Sequence, residues 1–145
     1  MATTSTTSLQ DQLRTRLLTF NTNALDAIVT DLWIDYPPDT AAFPYGVMRI
    51  VDNTQDTDYD ANRFTVQLEV MIYGNKRSQM QAVENAADAC DKAMIDYVDS
   101  TSGITWARGR TRATAPATND PAFRESATVR LVYELVVYPL YLNQE

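Results

Sequence analysis

The sequence predicts an α+β fold, a mainly antiparallel sheet of about four to five strands with helices packed on one of its faces. Three stretches carry that expectation. In RFTVQLEVMIY, residues 63–73, Phe64, Val66, Leu68, Val70 and Ile72 alternate with Arg63, Thr65, Gln67, Glu69, Met71 and Tyr73. Successive side chains of a strand point to opposite faces, so the first set makes an apolar face and the second a mixed, amphipathic one. Just downstream, Met80, Val83, Ala87, Cys90, Met94 and Tyr97 recur at spacings of 3, 4, 3, 4 and 3, the stripe of an amphipathic helix. In residues 126–138, Ala127, Val129, Leu131, Tyr133, Leu135 and Val137 face one way, and Thr128, Arg130, Val132, Glu134, Val136 and Tyr138 the other.

The remaining elements fall between these in order. Residues 1–7 are expected to form a flexible arm and residues 8–145 a single domain. The opening MATTSTTS has neither a basic nor an apolar region, so it does not read as a secretory signal. Residues 8–20 read as a helix, with Ser8 as cap, Asp11 as first-turn acid and Leu9, Leu13, Leu17 and Phe20 on one stripe. Asn21-Thr22-Asn23 predict a break followed by a short second helix, which would carry the stripe on through Ala24, Ala27 and Ile28; one long helix is the alternative. Leu32-Trp33-Ile34 is a short strand stopped by Pro37-Pro38. Residues 46–51 read as a second strand, and residues 52–62, DNTQDTDYDAN, as a polar connector that makes a hairpin with strand 63–73. Gly74-Asn75 signals a turn. The strongest helix is expected over residues 78–98, with Ser78 and Gln81 as a capping box and Ala86, Ala87, Ala89 and Ala93 letting it lie close to a sheet. Its acids, Glu84, Asp88, Asp91 and Asp96, fall mostly off the stripe. Residues 104–112 read as a strand, 113–123 as a loop, and Pro139 ends the final strand.

Composition narrows the function. A chain of 145 residues supports one domain with a real core. Its 45% hydrophobic and 21% charged residues are ordinary for a globular protein, and no apolar run is long enough for a membrane-spanning helix. There is no histidine, which removes histidine-based triads and almost all zinc chemistry. The single cysteine, Cys90, lies in a helical stripe and reads as a buried structural thiol. The formal charge of −7 opposes general attraction to nucleic acid.

Two constellations stand out. Asp56, Asp58 and Asp60 are spaced D-x-D-x-D like the start of a calcium loop, but Ala61 stands where that loop needs glycine and Gln67 where it needs a bidentate glutamate. With Asp52 they read instead as a solvated hairpin tip or an acidic contact surface for a basic partner. On strand 104–112, Trp106, Arg108, Arg110 and Arg112 share one face under strict alternation. Arginine and tryptophan are common in interface hot spots, so this stripe reads as a protein interface. Cross-strand pairing with Glu134 or Glu69 is the plainer alternative. Base stacking on Trp106 is conceivable but opposed by the net charge. No phosphate-binding glycine loop and no nucleophile with a base in a known motif is present, so no catalytic, cofactor or metal residues are assigned.

The order of these features resembles the tail terminator family of long-tailed bacteriophages, also called tail-completion proteins. The resemblance runs from about Leu9 to Tyr138. It is carried by an amphipathic helix leading into LWIDYPP, by FPYGVMRIVDN, by an acidic tip before RFTVQLEVMIYGNKRSQMQAVENAADAC, and by ITWARGRTRATAPATNDPAFRESATVRLVYELVVY. The specificity lies in order and spacing, since Phe-Pro before a strand is common by chance.

The resemblance implies a non-enzymatic virion protein at the head-proximal end of the tail. It would be assembled in the host cytoplasm into a ring, usually of six subunits. The ring caps the tail tube, stops its polymerisation and offers its other side to the neck or head connector. The expected partners are therefore further copies of the chain, the tail tube protein and a neck protein, with genomic DNA passing through the lumen and no membrane involved. Heterologous contacts of such a ring would draw on Trp106, Arg108, Arg110, Arg112, Met71 and Tyr73, and Asp52, Asp56, Asp58 and Asp60 would reach an adjacent ring. Another neck or connector component, or a small α+β ligand-binding or enzymatic domain, remains an alternative at this point.

Overall fold

The computed structural model describes residues 6–55, 63–75, 79–99, 103–115 and 127–138. Its elements are α1 (Thr6–Asn23), β1 (Leu32–Ile34), β2 (Tyr45–Gln55), β3 (Phe64–Gly74), α2 (Met80–Met94), β4 (Ile104–Ala115) and β5 (Ala127–Val137). One five-stranded sheet has the order β1-β2-β3-β5-β4. β1 runs parallel to β2, and the other three pairs are antiparallel. The fold is the expected α+β arrangement, with β3 at the centre.

The alternating apolar sets of β3 and β5 form the inner face. Val66, Leu68, Val70, Ile72, Val129, Leu131, Tyr133 and Leu135 are buried there with Leu9, Leu13 and Leu17 of α1 and Val83, Ala87, Cys90 and Met94 of α2. Ala86, Ala87 and Ala93 are fully buried; their lack of bulk is what lets α2 approach the sheet closely. Gly46 serves the same end on β2, since a Cβ there would lie 2.8 Å from Leu32 Cδ1 on β1.

Two arginines fasten α1. Arg14 donates to the Leu32 carbonyl and to Asp31 Oδ1, both at 2.6 Å, which ties the helix to the start of β1. Arg16 donates to the Ala93 carbonyl at 2.8 Å in the last turn of α2. There it meets one of the carbonyls that helix geometry leaves without a partner, while its guanidinium lies over the rings of Phe20 and Tyr97.

Several boundaries differ from the sequence reading. α1 begins at Thr6, so Ser8 lies inside it rather than capping it, and its first turn holds no acid. The break does occur: Phe20 leaves the helical region, and Asn21 and Thr22 take left-handed angles. Residues 24–28 then form turns instead of a short second helix, with Ile28 and Val29 both donating to the Leu25 carbonyl.

β2 runs on to Gln55, so Asp52 is a strand residue opposite Gln67 rather than part of the connector. The strand bulges between Ile50 and Asp52. α2 starts at Met80 without a side-chain cap and ends at Met94, four residues short of the expected end. Ser78 lies outside the described residues, and Gln81 donates to Asn85 rather than closing a capping box. Asp96 adopts a φ of 59° and gives its N–H to the Ala107 carbonyl, which turns the chain into β4. β4 continues to Ala115, three residues into the stretch expected to be loop. The proposed terminal arm, apart from Thr6 and Thr7 in α1, lies outside the described residues.

Candidate functional site

The face of the sheet opposite the helices is the candidate site. The second set of β3 runs down its middle: Thr65, Gln67, Glu69, Met71 and Tyr73. Register then decides each neighbour. Glu69 stands between Arg49 of β2 and Val132 of β5, and Met71 between Val47 and Arg130. Val47, Val132 and Val136 are buried here yet lie outside the core cluster under the helices, so this face has an apolar component of its own.

Glu69 is the centre. It is only 6% exposed. Arg49 Nε donates to its Oε1 at 2.8 Å and Arg130 Nε to its Oε2 at 2.6 Å. Burial alone would raise the carboxyl pKa, but the hydrogen bonds and charges of Arg130 and Arg49 outweigh it and hold Glu69 below the ordinary carboxylate value. One carboxylate thus serves two guanidiniums, whose side chains stay 44% and 46% exposed.

An aromatic group lies at one end of the face. The Phe43 and Tyr45 rings are 5.0 Å apart, and those of Tyr45 and Tyr73 are stacked at 5.2 Å. The Tyr73 hydroxyl donates to Met71 Sδ at 3.4 Å. Burial raises the pKa of both Tyr45 and Tyr73. Trp33 of β1 pairs with Val47 beside them, and its indole N–H is buried without a hydrogen-bond partner among the described residues. Toward the other end, Arg108 bonds Glu134 across the β4–β5 pair at 3.3 Å, the cross-strand pairing weighed from sequence.

The basic stripe does not survive as one face. β4 shifts register between Ile104 and Trp106 and again between Gly109 and Thr111. Each shift inserts one residue, and an inserted residue reverses the side to which everything beyond it points. Arg108 therefore opposes Glu134 on the helix-free face, whereas Arg112 opposes Leu131 on the inner one. There Arg112 bonds Glu84 at 2.7 Å, Asp88 at 2.8 Å and Asp91 at 3.1 Å, acids one turn apart along α2. Asp91 also accepts the buried Tyr133 hydroxyl at 2.6 Å. Arg112 is a clamp between helix and sheet edge rather than part of an exposed stripe.

The other sequence-derived positions divide as follows. Met71 and Tyr73 stand half-buried on the helix-free face, and Asp52 is exposed on β2. The backbone of Trp106 registers opposite Val136, and Arg110 sits at the second register shift; their side chains lie outside the described residues. Asp56, Asp58 and Asp60 lie outside them as well. Sequence reasoning passed over Arg49, Arg130 and Tyr45 and named Glu69 only as a possible pairing partner. Alternation marks Glu69 and Arg130 as outer-face residues, but which strands adjoin is not written in a period of two.

Chemistry of a catalytic kind finds little footing. Cys90 is buried, and burial pushes its thiol pKa well up, which leaves it a poor nucleophile. Among the described residues no group of three or more His, Cys, Asp or Glu could hold a metal ion, and no helix is long and apolar enough to cross a membrane.

No protein-family model matches the chain, and the search of curated proteins finds no match. Solved structures do match. The chain is similar to a chain of the virion of the native gene transfer agent particle, with 18% identity and a TM-score of 0.66 over 90% of this chain and 94% of that one. It also matches the gp17 protein of bacteriophage SPP1, with 14% identity and a TM-score of 0.45 over 87% of this chain and 88% of that one. The first likeness shows a common fold, and it takes in both chains almost entirely.

Proposed function

We propose that the protein is a structural, non-enzymatic component of a phage-type virion that forms a ring of six subunits and acts as a tail terminator. The ring caps the tail tube, ends its polymerisation and presents a joining surface to the neck, with the genome passing through its lumen. The observation that carries this reading is the fold shared over 90% of the chain with a chain of a gene transfer agent virion. The resemblance of the sequence to tail terminators supports the finer assignment. So does the helix-free face, where buried valines, stacked tyrosines and half-exposed arginines combine the residue types common in interface cores.

The test is light scattering across a concentration series with negative-stain images of the same sample. Six copies of the 16.3 kDa chain give a particle of about 98 kDa with a central hole. A dimer stable at every concentration overturns the ring. If the protein is monomeric, polymerising tube protein is added: tubes that stop at capped ends support the terminator role, and uncapped growth overturns it.

A further inference from the structure

From the Arg49–Glu69–Arg130 group on the helix-free face we infer that this site receives the acidic segment of a second copy of the chain, residues 56–60 with Asp56, Asp58 and Asp60. The inference rests on the ring reading above and names one of its subunit contacts.

The receiving site is built, not merely charged. Two guanidiniums converge on one carboxylate, so the group carries one uncompensated positive charge on a chain whose net charge is −7. Other described arginines are matched differently, and Arg16 meets a carbonyl and two aromatic rings on the helix side. Arg14 meets Asp31, and Arg112 meets three acids. Glu69 is buried and fixes both arginines through Nε, while their side chains remain nearly half exposed. A partner acid thus meets guanidiniums whose side-chain entropy is already largely lost, which lowers the cost of the contact.

The occupant follows from charge and reach. DTDYD places three carboxylates in five residues, a strong match to two aligned guanidiniums. Its own strands hold it away from this site. Each of the three acids stands within three residues of Gln55 or Arg63, hence within about 11 Å of it. Along the strands, Arg49 is six residues from Gln55 and Glu69 six from Arg63, about 20 Å in each case. Backbone reach thus leaves a gap of about 9 Å, which the segment and its own arginines span only with every side chain fully extended, so the acids of a second copy are the better placed. The donor segment and the receiving face are different parts of the surface, so the contact can run head-to-tail, the kind that generates a ring when its rotation closes, whereas a reciprocal two-fold pairing of the same parts would stop at a dimer.

The test uses two full-length single variants, Asp58→Cys and Met71→Cys, mixed and oxidised. Cys90 is fully buried and does not compete, and Met71 lies opposite Arg130. A disulfide-linked heterodimer is expected, with little product when Met71→Cys is replaced by Ile95→Cys on the helix side. In parallel, Asp56→Asn/Asp58→Asn/Asp60→Asn is expected to weaken self-association at least tenfold with an unchanged melting temperature. Rings that form without the Asp58–Met71 crosslink, or that tolerate the triple variant, overturn this contact and leave the ring reading standing. A chain that stays monomeric and uncrosslinked both alone and on capped tubes overturns the contact. Neither rings nor capped tubes would overturn both.

Discussion

Glu69 is a carboxylate buried on a face that no helix covers, and its partners explain why it stays ionised. Replacing it by Gln leaves Arg49 and Arg130 without a counter-charge. Because both arginines are nearly half exposed and solvated, the expected loss is modest, about 1 kcal/mol in urea unfolding at neutral pH. The pH profile is the sharper readout. The folded state holds Glu69 below its unfolded pKa, so its contribution is present above the unfolded value and lost as pH falls through the folded one. Glu69→Gln should flatten that acid limb; an unchanged limb would assign it to other carboxylates. The alkaline side has the opposite sign. Burial, then Asp99 beside it, pushes Tyr97 up to about 12, and burial raises Tyr133, Tyr73 and Tyr45 as well. Stability from these phenols is complete below the unfolded value of 10.0 and declines as pH rises toward about 12. Backbone sets a further single-residue constraint. Gly103 has a φ of 78°, and a Cβ there would lie 1.8 Å from the Tyr138 carbonyl oxygen. The Gly103 carbonyl meanwhile accepts the Tyr138 N–H at 2.7 Å. Gly103→Ala should cost about 2–3 kcal/mol of unfolding free energy, from strain and displaced backbone together.

At the scale of elements, β4 separates two jobs that strict alternation would merge. Arg112, on the inner side, joins β4 to α2 through three acids. Arg112→Ala should lower stability by about 1 kcal/mol, since the network is partly solvent-exposed, and should speed amide exchange in β4 more than in β3. Arg108, on the outer side, faces Glu134. Arg108→Glu together with Arg110→Glu should prevent assembly while shifting the melting temperature little, since a like-charge cross-strand pair costs only a fraction of a kcal/mol. Normal rings from that variant would remove this end of the face from the interface. The same strand shows what a sequence can disclose. β3, β5 and α2 are long and strongly periodic, and their buried sets fall where the periods put them. The inserted residues of β4 leave no mark in composition; they show only against a partner strand, and the partner of β4 is β5. The site was legible to the same extent. Met71, Tyr73 and Arg108 could be assigned to an outer face, but the convergence of Arg49 and Arg130 on Glu69 needs β2, β3 and β5 side by side. Helix ends were missed where tertiary contacts decide them. α2 stops at Met94 because Ile95 takes an extended conformation and the Asp96 N–H turns to the Ala107 carbonyl, although Tyr97 continues the apolar stripe and still packs on Arg16.

At the scale of the whole molecule, charge bears on what a ring of this protein would do to DNA. The chain carries 12 basic and 19 acidic residues. Its described arginines are largely committed within the fold: Arg14 to Asp31, Arg49 and Arg130 to Glu69, Arg108 to Glu134, and Arg112 to α2. Affinity for duplex DNA comes mainly from releasing counterions as lysines and arginines replace them on phosphates. A protein whose sum is −7 and most of whose described arginines already face acids gains little from that exchange and adds long-range repulsion. In a ring the repulsion multiplies with the number of subunits, and it reaches across a lumen only within about 8–10 Å at physiological salt. The wall would therefore keep DNA off its surface without holding it at a distance, which suits passage rather than grip. The expected result is no shift of duplex DNA in a gel assay at physiological salt, for the assembled and the dissociated protein alike. Binding tighter than the ordinary non-specific range, about 10⁻⁴ to 10⁻⁶ M, with a steep salt dependence would instead show that assembly gathers uncompensated arginines onto one surface. The exposed ends of Arg49 and Arg130 would be the first to substitute. If those ends are occupied by acids of a neighbouring subunit, their substitution leaves DNA affinity unchanged while it weakens the ring.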